Sequence, residues 1–225
     1  MRILIIGGGS VTYELLSTIS KHKELKKHDI AVVEINPRRA EEISKAFDVT
    51  VVNGDATDIS LFESQATSSI NLSDFDVVIA LTDRDEVNVF VLTLAKHYGV
   101  NLRMARVKSS KIADMLVKLD LGIPVIVPSV IGNIFRTYLD TLTEPKILGE
   151  VGEYKIYGIV LTSTDKATNK KVEELQLPED VKIMFMFNGV EFTIPSKEDV
   201  LKEGTLLYVL AKEASVEDIT KIFKG

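Results

Sequence analysis

The stretch MRILIIGGGSVTYELL, residues 1–16, decides how the rest of the chain is read. Ile3, Leu4, Ile5 and Ile6 are apolar without interruption, as in a strand covered on both faces. Gly7, Gly8 and Gly9 follow, and Ser10 and Val11 then open a segment that ends in the helix formers Glu14, Leu15 and Leu16. Strand, glycine turn and helix in this order begin a dinucleotide-binding unit. The first glycine makes the tight turn and the second lets backbone amides approach a pyrophosphate at the helix N-terminus. Gly7 and Gly9 take those two places, while Thr12 stands where a third glycine would let the helix pack close to the sheet. Taken alone, the loop leaves a plain tight turn open as a reading.

Outward from the loop, short β-branched runs alternate with segments of helical period as far as Pro128, the grammar of a parallel sheet with crossover helices. The runs predict strands over 2–6, 30–35, 49–53, 76–81, 102–107 and 123–127, and helices over 12–23, 37–47, 58–63, 83–98 and 109–119. Pro37 suits a first helical position, Asp58 can cap the third helix, and Thr82 or Asp83 the fourth, where Glu86 completes a capping box. Gly99 and Gly122 are read as helix stops. Together these make an α/β fold: a six-stranded, doubly wound Rossmann-like sheet over residues 1–128. Residues 129–145 carry a crossover helix, predicted over 130–142 from the spacing of Ile131, Ile134, Phe135, Tyr138 and Leu139, and a linker. Residues 146–225 read as a small α+β domain with strands over 154–161, 181–187, 190–194 and 205–211 and helices over 171–175 and 215–223. Asn188-Gly189 marks a hairpin in which both residues tolerate positive φ.

Composition narrows the functions available. The chain has 225 residues, 45% of them hydrophobic, enough for a substantial core. A net charge of -6 gives no overall basic field for nucleic acid or an anionic membrane. With no cysteine there are no disulfides, thiolate nucleophiles or cysteine metal sites. No apolar run is long enough to span a bilayer, and the chain is read as cytosolic. His22, His28 and His97 lie near helix or strand ends rather than beside carboxylates at metal-ligand spacing, and no serine sits in a nucleophile elbow. A catalyst is therefore not expected.

Candidate binding residues gather at the carboxyl ends of the predicted strands. Glu34 ends the second strand, where an acidic residue accepts from adenine ribose hydroxyls and repels a 2′-phosphate. That favours NAD, NADH, ADP, ATP or AMP over NADP, although Arg38 and Arg39 keep an NADP reading open. Asn36 follows at once. Asp55 and Ala56 close the third strand, and Thr82 and Asp83 the fourth, beside the first strand at the topological switch point. Arg106, at the end of the fifth strand, can meet a phosphate or pair with Asp55 or Asp83.

The succession Gly7-x-Gly9, Glu34-x-Asn36, Gly54-Asp55-Ala56-Thr57, Ala80-Leu81-Thr82-Asp83, Asp85-Glu86-Val87-Asn88, Ala105-Arg106 and Val127-Pro128 resembles the RCK N-terminal domain of Trk-type (TrkA) potassium-uptake regulators. Val172-Glu173-Glu174-Leu175, Ile194-Pro195 and the run from Lys202 to Val209 resemble the matching C-terminal domain. The resemblance implies a cytosolic gating subunit at the membrane, bound to a potassium channel or transporter. It also implies homodimers that assemble into an octameric ring whose shape responds to an adenine nucleotide in the cleft. By the same resemblance Gly7, Gly9, Ser10, Val11, Glu34, Asn36, Asp55, Ala56, Thr82, Asp83 and Arg106 form the nucleotide site, no metal is bound, and the helix over 130–142 crosses to the partner subunit. Alternatives from the residues alone are an NAD-dependent oxidoreductase and an assembly-only fold with an unused cleft.

Overall fold

A computed structural model describes residues 1–22, 27–62, 70–212 and 214–224. Two compact units divide between Val130 and Ile131.

In the first unit, β1 (Arg2–Ile6), β2 (Asp29–Glu34), β3 (Thr50–Asn53), β4 (Val77–Ala80), β5 (Leu102–Val107) and β6 (Ile123–Ile126) form one parallel sheet in the order β3-β2-β1-β4-β5-β6. The chain reverses direction across the sheet between β1 and β4, so a crevice opens at the carboxyl ends of those two strands. Side chains alternate between faces. Leu4, Ile6, Val33, Val78, Ala80, Ala105 and Val107 enter one core, against α3 (Asp85–His97) and α4 (Ser110–Lys118). Ile3, Ile5, Ile30, Val32 and Val77 enter the other, where Leu16 of α1 (Ser10–Lys21) and Ile43 of α2 (Pro37–Ala46) meet them. Leu4 and Ile5 are fully buried, and burial of each side chain stabilises the sheet by about 1.5–3 kcal/mol.

Several element ends differ from expectation. The segment over 58–63 forms only a 3-10 turn, Ile59–Phe62, which Asp58 caps as expected by accepting from the Ser60 amide and hydroxyl; position 63 lies outside the described residues, as does position 23 at the expected end of the first helix. Neither Thr82 nor Asp83 caps α3: Arg84 is the N-cap residue, and it makes no side-chain capping bond. Glu86 therefore closes no capping box with Asp83 and instead accepts from Arg84 Nε at 2.8 Å, while the Thr82 hydroxyl accepts from the Arg84 amide at 3.2 Å. Gly99 does end α3 with φ +77°, but the left-handed residue after α4 is Asp120, φ 51°; Gly122 instead makes room for Arg103 O, 2.5 Å from where a Cβ would stand. β6 runs straight into α5 (Val127–Thr141), so Val127 is helical and Pro128 occupies the first turn, where a missing N–H costs nothing.

In the second unit, β7 (Lys146–Val151), β8 (Tyr154–Val160), β9 (Val181–Phe187), β10 (Phe192–Thr193) and β11 (Leu206–Lys212) form an antiparallel sheet in the order β10-β9-β11-β8-β7. Tyr157, Ile159, Val181, Leu207 and Val209 pack with Ile219 and Phe223 of α6 (Val216–Phe223). Ser215 caps α6 in a reciprocal box with Asp218. The segment over 171–175 is a short 3-10 turn, Val172–Leu175. At the hairpin only Gly189 takes positive φ, 93°; Asn188 instead accepts the amides of Val190 and Glu191, which lengthens the turn and leaves β10 as two residues rather than the expected 190–194.

Candidate nucleotide-binding cleft

Gly7 leaves β1 with φ +97°, a backbone conformation that glycine alone adopts without strain. Its amide donates to Val33 O at 2.8 Å and its carbonyl accepts from the Thr12 hydroxyl. Thr12 is completely buried, so the residue in the third glycine's place is a hydrogen-bonding partner of the first glycine. Gly8 packs under Glu34 and Ile43: an added Cβ would lie 2.6 Å from Ile43 Cδ1. Gly9 faces open space, with nothing within 4 Å of an added Cβ, and as N-cap of α1 it offers no side chain to the first-turn amides. Those amides carry the positive end of the helix dipole and have no acidic residue in the first turn to neutralise them.

Glu34 is a buried carboxylate, 4% exposed. Its Oε2 accepts from the Gly8 amide and its Oε1 from the Asn36 amide at 2.8 Å. Asn36 then caps α2, its Oδ1 accepting from Arg38 N at 3.0 Å and Arg39 N at 3.3 Å, with Pro37 at the predicted first position. Asp55 accepts from the Thr57 amide at 2.9 Å and hydroxyl at 2.8 Å; these two bonds, with help from the nearby Arg84 charge, hold its carboxyl below the usual range. Asp55 therefore stays ionised, its remaining lone pairs available as acceptors, throughout the physiological range.

Across the switch point, Asn88 of α3 is fully buried and makes a clasp that sequence reading missed. Its Oδ1 accepts from the Thr82 hydroxyl at 2.6 Å and amide at 3.1 Å, and its Nδ2 donates to Thr82 O at 3.0 Å and Arg106 O at 2.8 Å. One side chain thus fixes the carboxyl ends of β4 and β5 together. An asparagine in the first turn of a helix reads as solvated, and only the tertiary fold reveals this role.

Gly7, Gly9, Glu34, Asp55, Ala56, Thr82 and Asp83 all line one cleft at the carboxyl edge, joined by Gly8, Ile35, Gly54, Arg39 and Arg84. Ser10, Val11, Asn36 and Arg106 do not line it. Arg106 makes no ion pair with Asp55 or Asp83 among the described residues, and its buried Nε has no hydrogen-bond partner there. Histidine, lysine and tyrosine are absent from the lining. A larger open groove lies at the opposite, amino end of β2 and β3, lined by Arg2, His28, Asp48 and Asn71, away from the convergent amides and carboxylates. The cleft chemistry, a backbone-amide anion site beside fixed carboxylate acceptors, suits an adenine nucleotide: phosphate at the uncapped helix, hydroxyl and amino donors at the acids.

Comparison with known proteins gives the same direction. The chain is 28% identical over 236 residues to a Trk system potassium uptake protein TrkA homolog of Pyrococcus abyssi, covering 100% of this chain and 98% of that protein. It is 26% identical to the TrkA homolog 2 of Methanosarcina mazei, covering 99% of this chain but 48% of that protein. Among solved structures the GsuK RCK domain superposes with a TM-score of 0.71 at 20% identity, over 98% of this chain and 47% of that one. A GsuK channel bound to NAD superposes at 0.68 with 19% identity, over 98% of this chain and 39% of the channel chain. No helix of the described residues is long and apolar enough to cross a membrane. A TrkA-N domain model matches residues 3–129 and a TrkA-C domain model residues 156–224, and the chain belongs to this TrkA family.

Proposed function

We propose that the chain is a regulatory subunit of potassium transport whose cleft binds an adenine nucleotide as a signal rather than as a reactant. The observation that carries this reading is the convergence in one cleft of an uncapped helix N-terminus, the glycine loop and the carboxylates Glu34 and Asp55. In this assignment Gly7 makes the turn, and the amides of Gly9, Ser10 and Val11 receive the phosphates. Glu34 takes ribose hydroxyls, and Asp55 with the Ala56 backbone reads the adenine edge. Thr82 and Asp83 face the distal half of the ligand, Arg106 supplies positive charge from β5, and Asn36 sets the start of α2. Of the carboxylates in the lining, Glu34 and Asp55 are engaged as acceptors of backbone and hydroxyl hydrogen bonds, and no histidine, lysine or tyrosine stands beside them, which supports binding without turnover.

Assembly extends the proposal. α5 exposes Val130, Ile131, Ile134, Phe135 and Leu139, the last two 66% and 71% accessible, a stripe too apolar for a solvated helix. In our reading this stripe crosses to a second copy of the chain, and dimers build a ring against a potassium channel or transporter at the cytoplasmic face of the membrane. Nucleotide then acts through its differential affinity for two ring shapes. Thermal shift with NAD, NADH, ADP, ATP and AMP tests the binding step. A ligand at about 100 times its Kd adds about 2.7 kcal/mol to the stability of the native state. A melting temperature raised in the wild type, and raised less in Glu34→Ala, is expected; equal shifts in both contradict the ribose assignment.

A further inference from the structure

We propose that Glu34 and Thr12 are positioning residues that hold the glycine loop in its receptive shape before any ligand arrives, so that Glu34 serves phosphate recognition as well as the ribose. The inference rests on the nucleotide reading of the cleft. Three polar backbone groups at the base of the loop are already tied. The Gly7 amide is held by Val33 O at 2.8 Å, the Gly7 carbonyl by the Thr12 hydroxyl, and the Gly8 amide by Glu34 Oε2. The two side chains come from opposite sides of the turn, Thr12 from α1 and Glu34 from β2, and both are buried. Glu34 is itself held through Oε1 by the Asn36 amide, so the carboxylate cannot swing freely toward a ligand. Meanwhile Gly9, next along, is left with open space above it and no capping side chain. The loop is therefore fixed at its base and open at its tip. That is the arrangement in which binding phosphate requires no ordering of backbone.

The same geometry accounts for the absent third glycine. A glycine at position 12 would bring the helix closer to the sheet but would leave the Gly7 carbonyl without its hydroxyl donor. Threonine keeps that carbonyl bonded. Glu34→Gln is not conservative here, since both carboxylate oxygens accept from amides and an amide side chain must turn its NH2 toward one of them.

The test uses the full chain free of ligand. Hydrogen exchange is followed by mass spectrometry in peptides covering residues 3–12 for wild type, Glu34→Gln, Thr12→Val and Thr12→Ser. Loss of one hydrogen bond predicts exchange in the loop about tenfold faster in Glu34→Gln and Thr12→Val, with Thr12→Ser close to wild type. Calorimetry with ADP, 2′,3′-dideoxy-ADP and inorganic pyrophosphate then separates the roles. If Glu34 positions the loop, Glu34→Gln weakens binding of all three. If Glu34→Gln weakens ADP alone, or loop exchange is unchanged in Glu34→Gln and Thr12→Val, the positioning role is overturned while the nucleotide reading stands. If the wild type binds none of the three, nor NAD, NADH, ATP or AMP, it is the nucleotide reading that fails, and the exchange rates still decide whether the two side chains hold the loop.

Discussion

Adjacent glycines in the loop should separate stability from binding. Gly8 does not adopt a positive φ, so the cost of Gly8→Ala is steric. Its Cβ would lie 2.6 Å from Ile43 Cδ1, 3.0 Å from Glu34 Oε2 and 3.1 Å from Glu34 Cγ. Ile43 is 1% exposed in a packed core and has little room to yield. Overpacking of this kind costs about 1–3 kcal/mol, and pushing Glu34 off the Gly8 amide adds about 0.5–1.5 kcal/mol. We expect a loss of about 2–3 kcal/mol, or about 5–10 °C in melting temperature for a chain of this length. Gly9→Ser enters open space and supplies the hydroxyl that α1 lacks at its N-cap, so stability should hold or rise by a few tenths of a kcal/mol. The same hydroxyl occupies the amides assigned to phosphate, and nucleotide affinity should fall about tenfold. Thermal melts and nucleotide titrations on both variants decide it. A Gly8→Ala protein that melts with the wild type, or a Gly9→Ser protein as destabilised as Gly8→Ala, would refute the packing argument.

Asn88→Ala removes all four bonds of the clasp and strands buried groups of Thr82 and Arg106, a cost of about 2–4 kcal/mol that chemical denaturation should show. In the second unit, Lys224 and Asp165 form a buried pair at 2.9 Å with side chains 7% and 9% exposed, and Lys224 also donates to Leu142 O and Val160 O. Lys224→Met leaves the carboxylate buried and unpaired and should cost about 3–5 kcal/mol, whereas adding Asp165→Leu should recover part of the loss. The depressed carboxyl of Asp55, held down first by its Thr57 bonds, should leave NAD affinity flat from about pH 8 down to about pH 5, with loss only in more acid solution. A midpoint near neutrality in the titration series would contradict that assignment.

Much of the first unit was legible because parallel strands buried on both faces leave continuous apolar runs; β5 has the predicted bounds, and β1 starts and stops where the glycines require. The second unit was less so. β7 went unseen: it is an edge strand with Gly149 inside it and a register shift between Ile147 and Gly149, so neither alternation nor a solid apolar run marks it. The cleft residues carried by local motifs, Gly7, Gly9, Glu34 and Asp55, come together as their positions at strand ends suggest. Gly8 and Asn88 were given no role of their own because their importance arises from contacts across the fold, with Ile43 and Glu34 for one and with two strand ends for the other. Thr12 was read as a departure from pattern, and the hydrogen bond that explains it spans a turn whose shape no spacing rule specifies.

The most direct measurement is parallel calorimetric titration of the full chain with NAD, NADH, ADP, ATP and AMP. The account predicts saturable binding of at least one of them, weakened by Gly9→Ser. Absence of heat and of saturation for all five at millimolar concentration would contradict the claim that this cleft is a working nucleotide site.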